Sequence, residues 1–232
     1  MLEDLDGFLL VDKPAGIAFS TVVKTVKRKF NLVKVGHGGS LDTMASGLMV
    51  LLINDANKYV GEVMGADRVF TGSMRLGKKT NTGCIHGLEL AGREVDGSLT
   101  ADALTAKMKA FRGDLFQTEP RFAAVRRESS AEYEIVDTGE HSQFMTHVYR
   151  FKALDFAAPV VNFELKCSKS AIVRSLVDDF GDELGTGAVL ERLRRASVGK
   201  FDIAEAIPFE QILETEIKDF ASCVKPLCAV SR

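Results

Sequence analysis

One stretch constrains this chain more than any other. Gly36-His37-Gly38-Gly39-Ser40-Leu41-Asp42-Thr43-Met44-Ala45-Ser46-Gly47 runs directly into the apolar segment Leu48-Met49-Val50-Leu51-Leu52-Ile53. Glycine has no Cβ, so such a loop can turn tightly and let a ligand approach the backbone. The apolar run reads as a buried strand that gives the loop a rigid base, and reactive groups concentrate on loops held by such scaffolds. Within the loop stands one carboxylate, Asp42, with no other acid between Asp12 and Asp55.

The rest of the chain mixes strand and helix patterns. Residues 7–13 read as a strand stopped by Pro14 and Gly16. Ser20-Thr21 can N-cap a helix to about Phe30, with Val22, Val23, Val26 and Phe30 on one face and Lys24, Lys27 and Arg28 opposite. An Asn54- or Asp55-capped helix should turn Tyr59, Val60, Val63 and Met64 inward. A strand follows over Val69–Leu76, then a polar, glycine-rich loop over Gly77–Gly97. Thr100 should cap a helix bearing Leu104, Met108 and Phe111 and ended by Gly113. Strands are expected over 131–137, 147–156 and 160–167, and Ser168 or Ser170 should cap a helix to about Leu184. Short helices over Ala188–Arg195 and Pro208–Glu216 flank a strand near 198–203. Strands and helices without strict βα alternation favour α+β over a doubly wound fold.

Composition narrows the function. At 232 residues the chain suits one domain, and it buries enough surface to fold without disulfides or metal. No apolar run reaches the roughly 18 residues of a membrane span. The acidic start (Glu3, Asp4, Asp6) lacks the basic region of a secretory signal, so the expected location is cytoplasmic. Cys84, Cys167, Cys223 and Cys228 form no C-x-x-C pair, and His37, His86, His141 and His147 no i,i+4 pattern. A zinc site or disulfide framework is therefore not expected, and no metal, flavin or nucleotide motif is present. A net charge of −2 argues against indiscriminate coating of nucleic acid. The bases are nonetheless grouped, at Lys24 to Lys34, Arg75/Lys78/Lys79, Arg121/Arg126/Arg127 and Arg192/Arg194/Arg195. The acids gather in 128–140, 178–191 and 202–219. Local basic patches suit binding of one structured RNA. A serine hydrolase built on His37-Gly38-Gly39-Ser40 fails for want of a G-x-S-x-G elbow.

The glycine loop resembles the active-site loop of the tRNA pseudouridine-55 synthase (TruB-type) family, G-H-x-G-x-L-D-P-x-A-x-G, with Thr43 in place of the usual proline. Gly7 to Gly16 is similar to the family's opening strand and K-P-x-G turn, and Arg75-Leu76-Gly77 to its R-L-G segment. Cys167-Ser168-Lys169 through Arg174 is similar to C-S-K-G-T-Y-I-R, and Leu193-Arg194-Arg195 to a late L-R-R. The matches keep their order over about residues 7–210.

The resemblance implies a central mixed, mostly antiparallel sheet with flanking helices and loops. It implies an isomerase that converts a flipped-out uridine, expected to be uridine 55 in the T-arm of tRNA, to pseudouridine without a cofactor. Asp42 would be the catalytic carboxylate and Arg174 its guanidinium partner. His37 would occupy the space the base vacates or contact the RNA backbone, and Phe70 would stack under the flipped base. Lys13, Lys24 and Arg28 are further candidate substrate contacts. Residues 1–232 are expected to form one catalytic domain with a short tail and no C-terminal PUA-like domain. The expected partner is the tRNA T-arm stem-loop, with no membrane and no obligate protein partner.

Several positions depart from the family pattern. Phe70 stands for a tyrosine; Thr80-Asn81-Thr82-Gly83-Cys84 lacks both carboxylates of T-D-T-x-D; Ser170-Ala171-Ile172 replaces G-T and an aromatic; and Phe122 replaces another tyrosine. These changes motivate an alternative: a tRNA-binding or folding factor with this fold and little catalysis.

Overall fold

The computed structural model describes residues 5–95, 97–126, 132–139 and 143–227. Glu3, Asp4, Arg127, His141 and Cys228, the acids of 128–131 and Glu140, and the first position of the expected 131–137 strand lie outside the described residues. The chain divides into two compact units. One comprises the chain up to Ala66 together with the segment from Arg195 onward; the other is Asp67–Arg194.

The first unit begins with β1 (Gly7–Lys13), α1 (Phe19–Lys29), β2 (Val35–His37) and β3 (Ser46–Ile53). β1 and β3 pair antiparallel along their whole length, Gly7 opposite Ile53 and Lys13 opposite Gly47. β2 adds to the start of the same ladder with His37 opposite Leu51. Both faces of this pair are covered, which explains why β3 reads as an unbroken apolar run. Leu9, Val11, Met49, Leu51 and Ile53 pack with Val22, Val26 and Phe30 of α1. Phe8, Leu10, Leu48, Val50 and Leu52 pack on the other face with Ala56 and Val63.

Two local expectations for this unit change. Helix α1 starts at Phe19 behind an extended Ala18 and carries no side-chain cap, so Ser20 and Thr21 lie within its first turn. After β3 comes a 3-10 helix (Asn54–Tyr59) and then the short α2 (Val60–Gly65), with Met64 exposed. Asn54 does not cap them. At φ 45 it clips the chain, its Oδ1 accepting from the Lys34 amide and its Nδ2 donating to the Leu5 carbonyl.

The second unit runs from β4 (Arg68–Leu76) through β5 (Lys79–Thr80), β6 (Glu89–Ala91), α3 (Ala101–Met108) and β7 (Gly113–Thr118). It continues with β8 (Phe122–Arg126), β9 (Tyr133–Asp137), β10 (Gln143–Ala157), β11 (Val160–Cys167), α4 (Val173–Leu184) and β12 (Ala188–Val198). β4, β11, β10 and β7 form consecutive antiparallel neighbours. Phe151 and Phe163 meet edge to face beneath Phe180 of α4, which also meets Phe111. Thr100 caps α3 as expected, its Oγ1 accepting from the Ala103 amide at 3.2 Å. β7 and β8 were not legible in the sequence, and the glycine-rich 77–97 region contains the β5–β6 pair. α4 starts after Ile172 and has no side-chain cap of its own, neither Ser168 nor Ser170 serving.

The expected 188–195 helix is instead the strand β12. Leu193 and Arg195 are buried while Arg192 is exposed, a period of two. Leu190 bridges Cys84 and exchanges backbone hydrogen bonds with Gly83 and Ile85. Pairing with backbone partners far along the chain overrides the helical propensity of Leu and Arg.

β12 passes into the first unit, where Ser197 and Val198 pair with β13 (Phe201–Asp202). β14 (Ile207–Pro208) lies parallel to β1, α5 (Phe209–Glu214) packs Phe209 and Ile212 into the α1 side, and β15 (Val224–Lys225) pairs antiparallel with β1. The strand pairings are thus mixed and mostly antiparallel, and the class is α+β, as expected from the sequence.

Candidate active site

In the first unit the 36–47 loop is held from below by backbone contacts and two buried cations. The Gly38 amide donates to the Val50 carbonyl at 2.8 Å, Gly16 to Thr43 at 2.7 Å, and Ala45 to Asp42 at 3.0 Å. Arg195 is 1% exposed. Its Nε donates to the Leu48 carbonyl at 2.7 Å and its two terminal nitrogens to Ser40 at 2.8 Å and Gly39 at 3.2 Å. Lys13, wholly buried, donates from Nζ to the carbonyls of Pro14 (2.9 Å), Ile17 (2.7 Å) and Thr43 (3.5 Å). The glycine of the motif that most needs to be glycine is Gly47. Its φ is +106, and a Cβ there would overlap the Arg195 carbonyl oxygen and lie 2.7 Å from the Arg195 nitrogen.

This scaffold leaves Asp42 as the one exposed residue of 41–45, between the buried Leu41 and the buried Thr43, Met44 and Ala45. An acid that is anchored on both sides yet open to solvent is fixed in position and accessible. Burial lowers the Lys13 pKa to about 8; the negative charge of Asp42 opposes that drop and the Arg195 guanidinium deepens it. His37 lies edge to face with Phe19, ring centroids 5.1 Å apart, and its Nδ1 accepts from the Gly39 amide at 3.3 Å. Burial first, then Arg195, pushes its pKa below the usual histidine value. The imidazole is therefore neutral at pH 7, with its proton on Nε2 as a hydrogen-bond donor.

The first unit thus brings Lys13, His37 and Asp42 to one loop and its floor. Lys24 and Arg28 stand exposed on the outer face of α1. What sequence reasoning missed is the job of Arg195. Its charge groups it with Arg192 and Arg194, although its place in the Leu193-Arg194-Arg195 match is the available signal. Lys13 likewise contacts the loop backbone with its ammonium.

In the second unit Arg174 is the second residue of α4, 8% exposed, with one terminal nitrogen donating to the Thr82 carbonyl at 2.8 Å. Thr82 belongs to the turn 80–84, whose Gly83 (φ +69) lies so close that a Cβ would sit 3.1 Å from the Arg174 carbonyl oxygen. Thr80 Oγ1 tightens this turn by donating to the Cys84 carbonyl at 2.8 Å. Phe70 is 5% exposed, in the middle of β4 opposite Leu165 of β11. Among the described residues no helix is long and apolar enough to cross a membrane.

Comparison with known proteins bears on this geometry. Residues 27–173 match the TruB family pseudouridylate synthase N-terminal domain, and residues 174–227 the tRNA pseudouridylate synthase B C-terminal domain. The chain is 36% identical over 213 residues to the tRNA pseudouridine synthase B of Opitutus terrae, covering 90% of this chain and 88% of that one. It is 34% identical over 211 residues to the protein of the same name from Azoarcus sp., covering 90% and 70%. Its fold is similar to a chain of the archaeal box H/ACA sRNP Nop10–Cbf5 complex, with TM-score 0.70 and 24% identity, covering 97% of this chain and 61% of that one. A family match through both halves, together with relatives a third identical over nine-tenths of the sequence, leads to one conclusion: the chain belongs to the TruB family of pseudouridylate synthases.

Proposed function

We propose that this protein is a cytoplasmic tRNA pseudouridine synthase that isomerises a uridine of the T-arm, position 55, with Asp42 as catalytic carboxylate and Arg174 as its partner, within residues 1–232 acting as one catalytic domain. The observation that carries this reading is the position of Asp42, exposed at the top of a loop whose floor is pinned by Arg195 and Lys13.

Isomerisation breaks the bond between uracil N1 and the sugar C1′, turns the base, and joins C5 to C1′. The C5 proton leaves to solvent and N1 takes one up, so atoms balance without a redox partner. Positive character grows at C1′ as the first bond breaks. A fixed carboxylate lowers that barrier, by attack or by electrostatic stabilisation. Arg174 sits in the first turn of α4, where the helix dipole disfavours a cation by about 0.3–1 kcal/mol. A guanidinium fork can aim a carboxylate through two parallel hydrogen bonds, the role proposed for Arg174. The flipped uracil loses stacking, and Phe70 can return roughly 1–3 kcal/mol per base. Neutral His37 can donate to the RNA strand from Nε2. Lys24 and Arg28 supply phosphate contacts from α1, and Lys13 serves the substrate through the loop it holds.

The test is to treat bulk tRNA with the protein and map pseudouridine. New pseudouridine at one T-arm position supports the reading. RNA binding with no new pseudouridine would instead support a binding or folding factor, the role that Phe70 and the acid-free 80–84 turn favour.

A further inference from the structure

β7 holds one buried residue, and it is polar. Gln117 is 2% exposed while its neighbours Phe116 and Thr118 face out. A buried amide is costly unless both of its functions are paired, and an apolar side chain would fill the site without that demand. Here both functions are used on a single target 55 residues away. Gln117 Nε2 donates to the Ile172 carbonyl at 3.2 Å, and Gln117 Oε1 accepts from the Ile172 amide at 3.0 Å.

Ile172 is the N-cap of α4, with extended φ and ψ and no capping side chain of its own. Its carbonyl also accepts from the Leu176 amide, the first bond of the helix. The Gln117 amide therefore clamps the backbone where α4 begins. One residue past Arg174, Ser175 Oγ donates to the Thr118 carbonyl at 2.9 Å, a second tie to the same strand. The approach to the helix is fixed as well, by the Ser168 amide on the His147 carbonyl and Ser170 Oγ on Met145. Arg174 lies between the two β7 ties, and its own side chain is steadied by Thr82.

We infer that Gln117 is a positioning residue for the reaction: by clamping both backbone groups of Ile172 it sets where α4 starts, and so where Arg174 points. This rests on the reading that Arg174 serves catalysis. It makes Gln117 responsible for turnover and not for RNA affinity, since its own side chain is buried and spent on Ile172.

The experiment is single-turnover and steady-state kinetics on a T-arm RNA with Gln117→Met, Gln117→Glu and Arg174→Met. Gln117→Met should lower kcat roughly 10- to 100-fold, the scale of a misplacement of about 1 Å, with KM near wild type. Gln117→Glu carries the readout that a merely structural role would not move. The protonated acid reproduces both contacts, a carbonyl accepting from the Ile172 amide and an O–H donating to the Ile172 carbonyl. The ionised form keeps the first and loses the second. Its kcat should approach wild type at the acid end of the range and fall as pH rises through an ionisation that wild type lacks. A Gln117→Met kcat equal to wild type, or a Gln117→Glu profile that superimposes on it, overturns the inference. If Gln117→Met does not fold, the Gln117→Glu profile alone decides. Wild-type turnover by Arg174→Met would sink the Arg174 reading itself. Loss of turnover there, with unaffected Gln117 variants, sinks only the role of Gln117.

Discussion

Lys13 is a lysine with its whole side chain inside the protein, and that makes it measurable. Its pKa falls from the ordinary 10.5 to about 8, chiefly because burial penalises the ammonium. At about 1.4 kcal/mol per unit, carrying that charge at pH 7 costs the folded state roughly 3 kcal/mol relative to a free lysine. The sign follows from proton counting. Between about pH 8 and 10.5 the unfolded chain holds the Lys13 proton and the folded one releases it, so this residue makes stability rise with pH. From pH 7 to 9.5 the gain integrates to about 2 kcal/mol. Other groups titrate over the same range, but Lys13→Met removes only this one. Urea unfolding of wild type and Lys13→Met at pH 7 and 9.5 should therefore show a pH dependence that differs by about 2 kcal/mol, wild type gaining relative to the variant. Parallel pH dependence in the two proteins would mean that the ammonium is not held in the low-dielectric floor of the Asp42 loop.

Two further outcomes follow from the same unit. Gly47→Ala forces a Cβ onto the Arg195 backbone at a φ that L-residues avoid; strain of about 1–3 kcal/mol plus the displaced strand should lower unfolding free energy by about 3 kcal/mol or more, and an unfolding midpoint unchanged from wild type would refute it. Lys24→Ala and Arg28→Ala should each raise KM for tRNA and flatten the plot of log affinity against log salt by roughly 0.7–0.9, measured by filter binding from 50 to 200 mM salt; an unchanged slope would remove α1 from the RNA interface.

Much of this was readable in advance, for physical reasons that also explain the failures. β1 and β3 announced themselves because both of their faces are buried, giving uninterrupted apolar runs. The α1 stripe and the Thr100 cap follow local rules that need no partner. β12 was misread because its inward positions include Arg195, a charged residue that hydropathy counts as outward, and this hid the period of two. The same use of a buried cation where an apolar side chain is expected conceals the floor of the Asp42 loop: Arg195 is held by carbonyls about 150 residues away, and Lys13 by Pro14 and Ile17 nearby together with Thr43. The start of α4 lies beyond Ser168 and Ser170 because the backbone at Ile172 is held by Gln117 of β7, a tie that no local sequence signal carries. Asp42 itself was legible from glycine spacing, whereas the support that fixes it is tertiary.

The account turns on the Asp42 carboxylate, and one replacement tests it. Asp42→Asn keeps the shape of the side chain and removes its charge, so tritium release from a T-arm RNA labelled at uridine C5 should fall to background while RNA binding stays near wild type. Release at the wild-type rate by that variant would contradict the account at its centre.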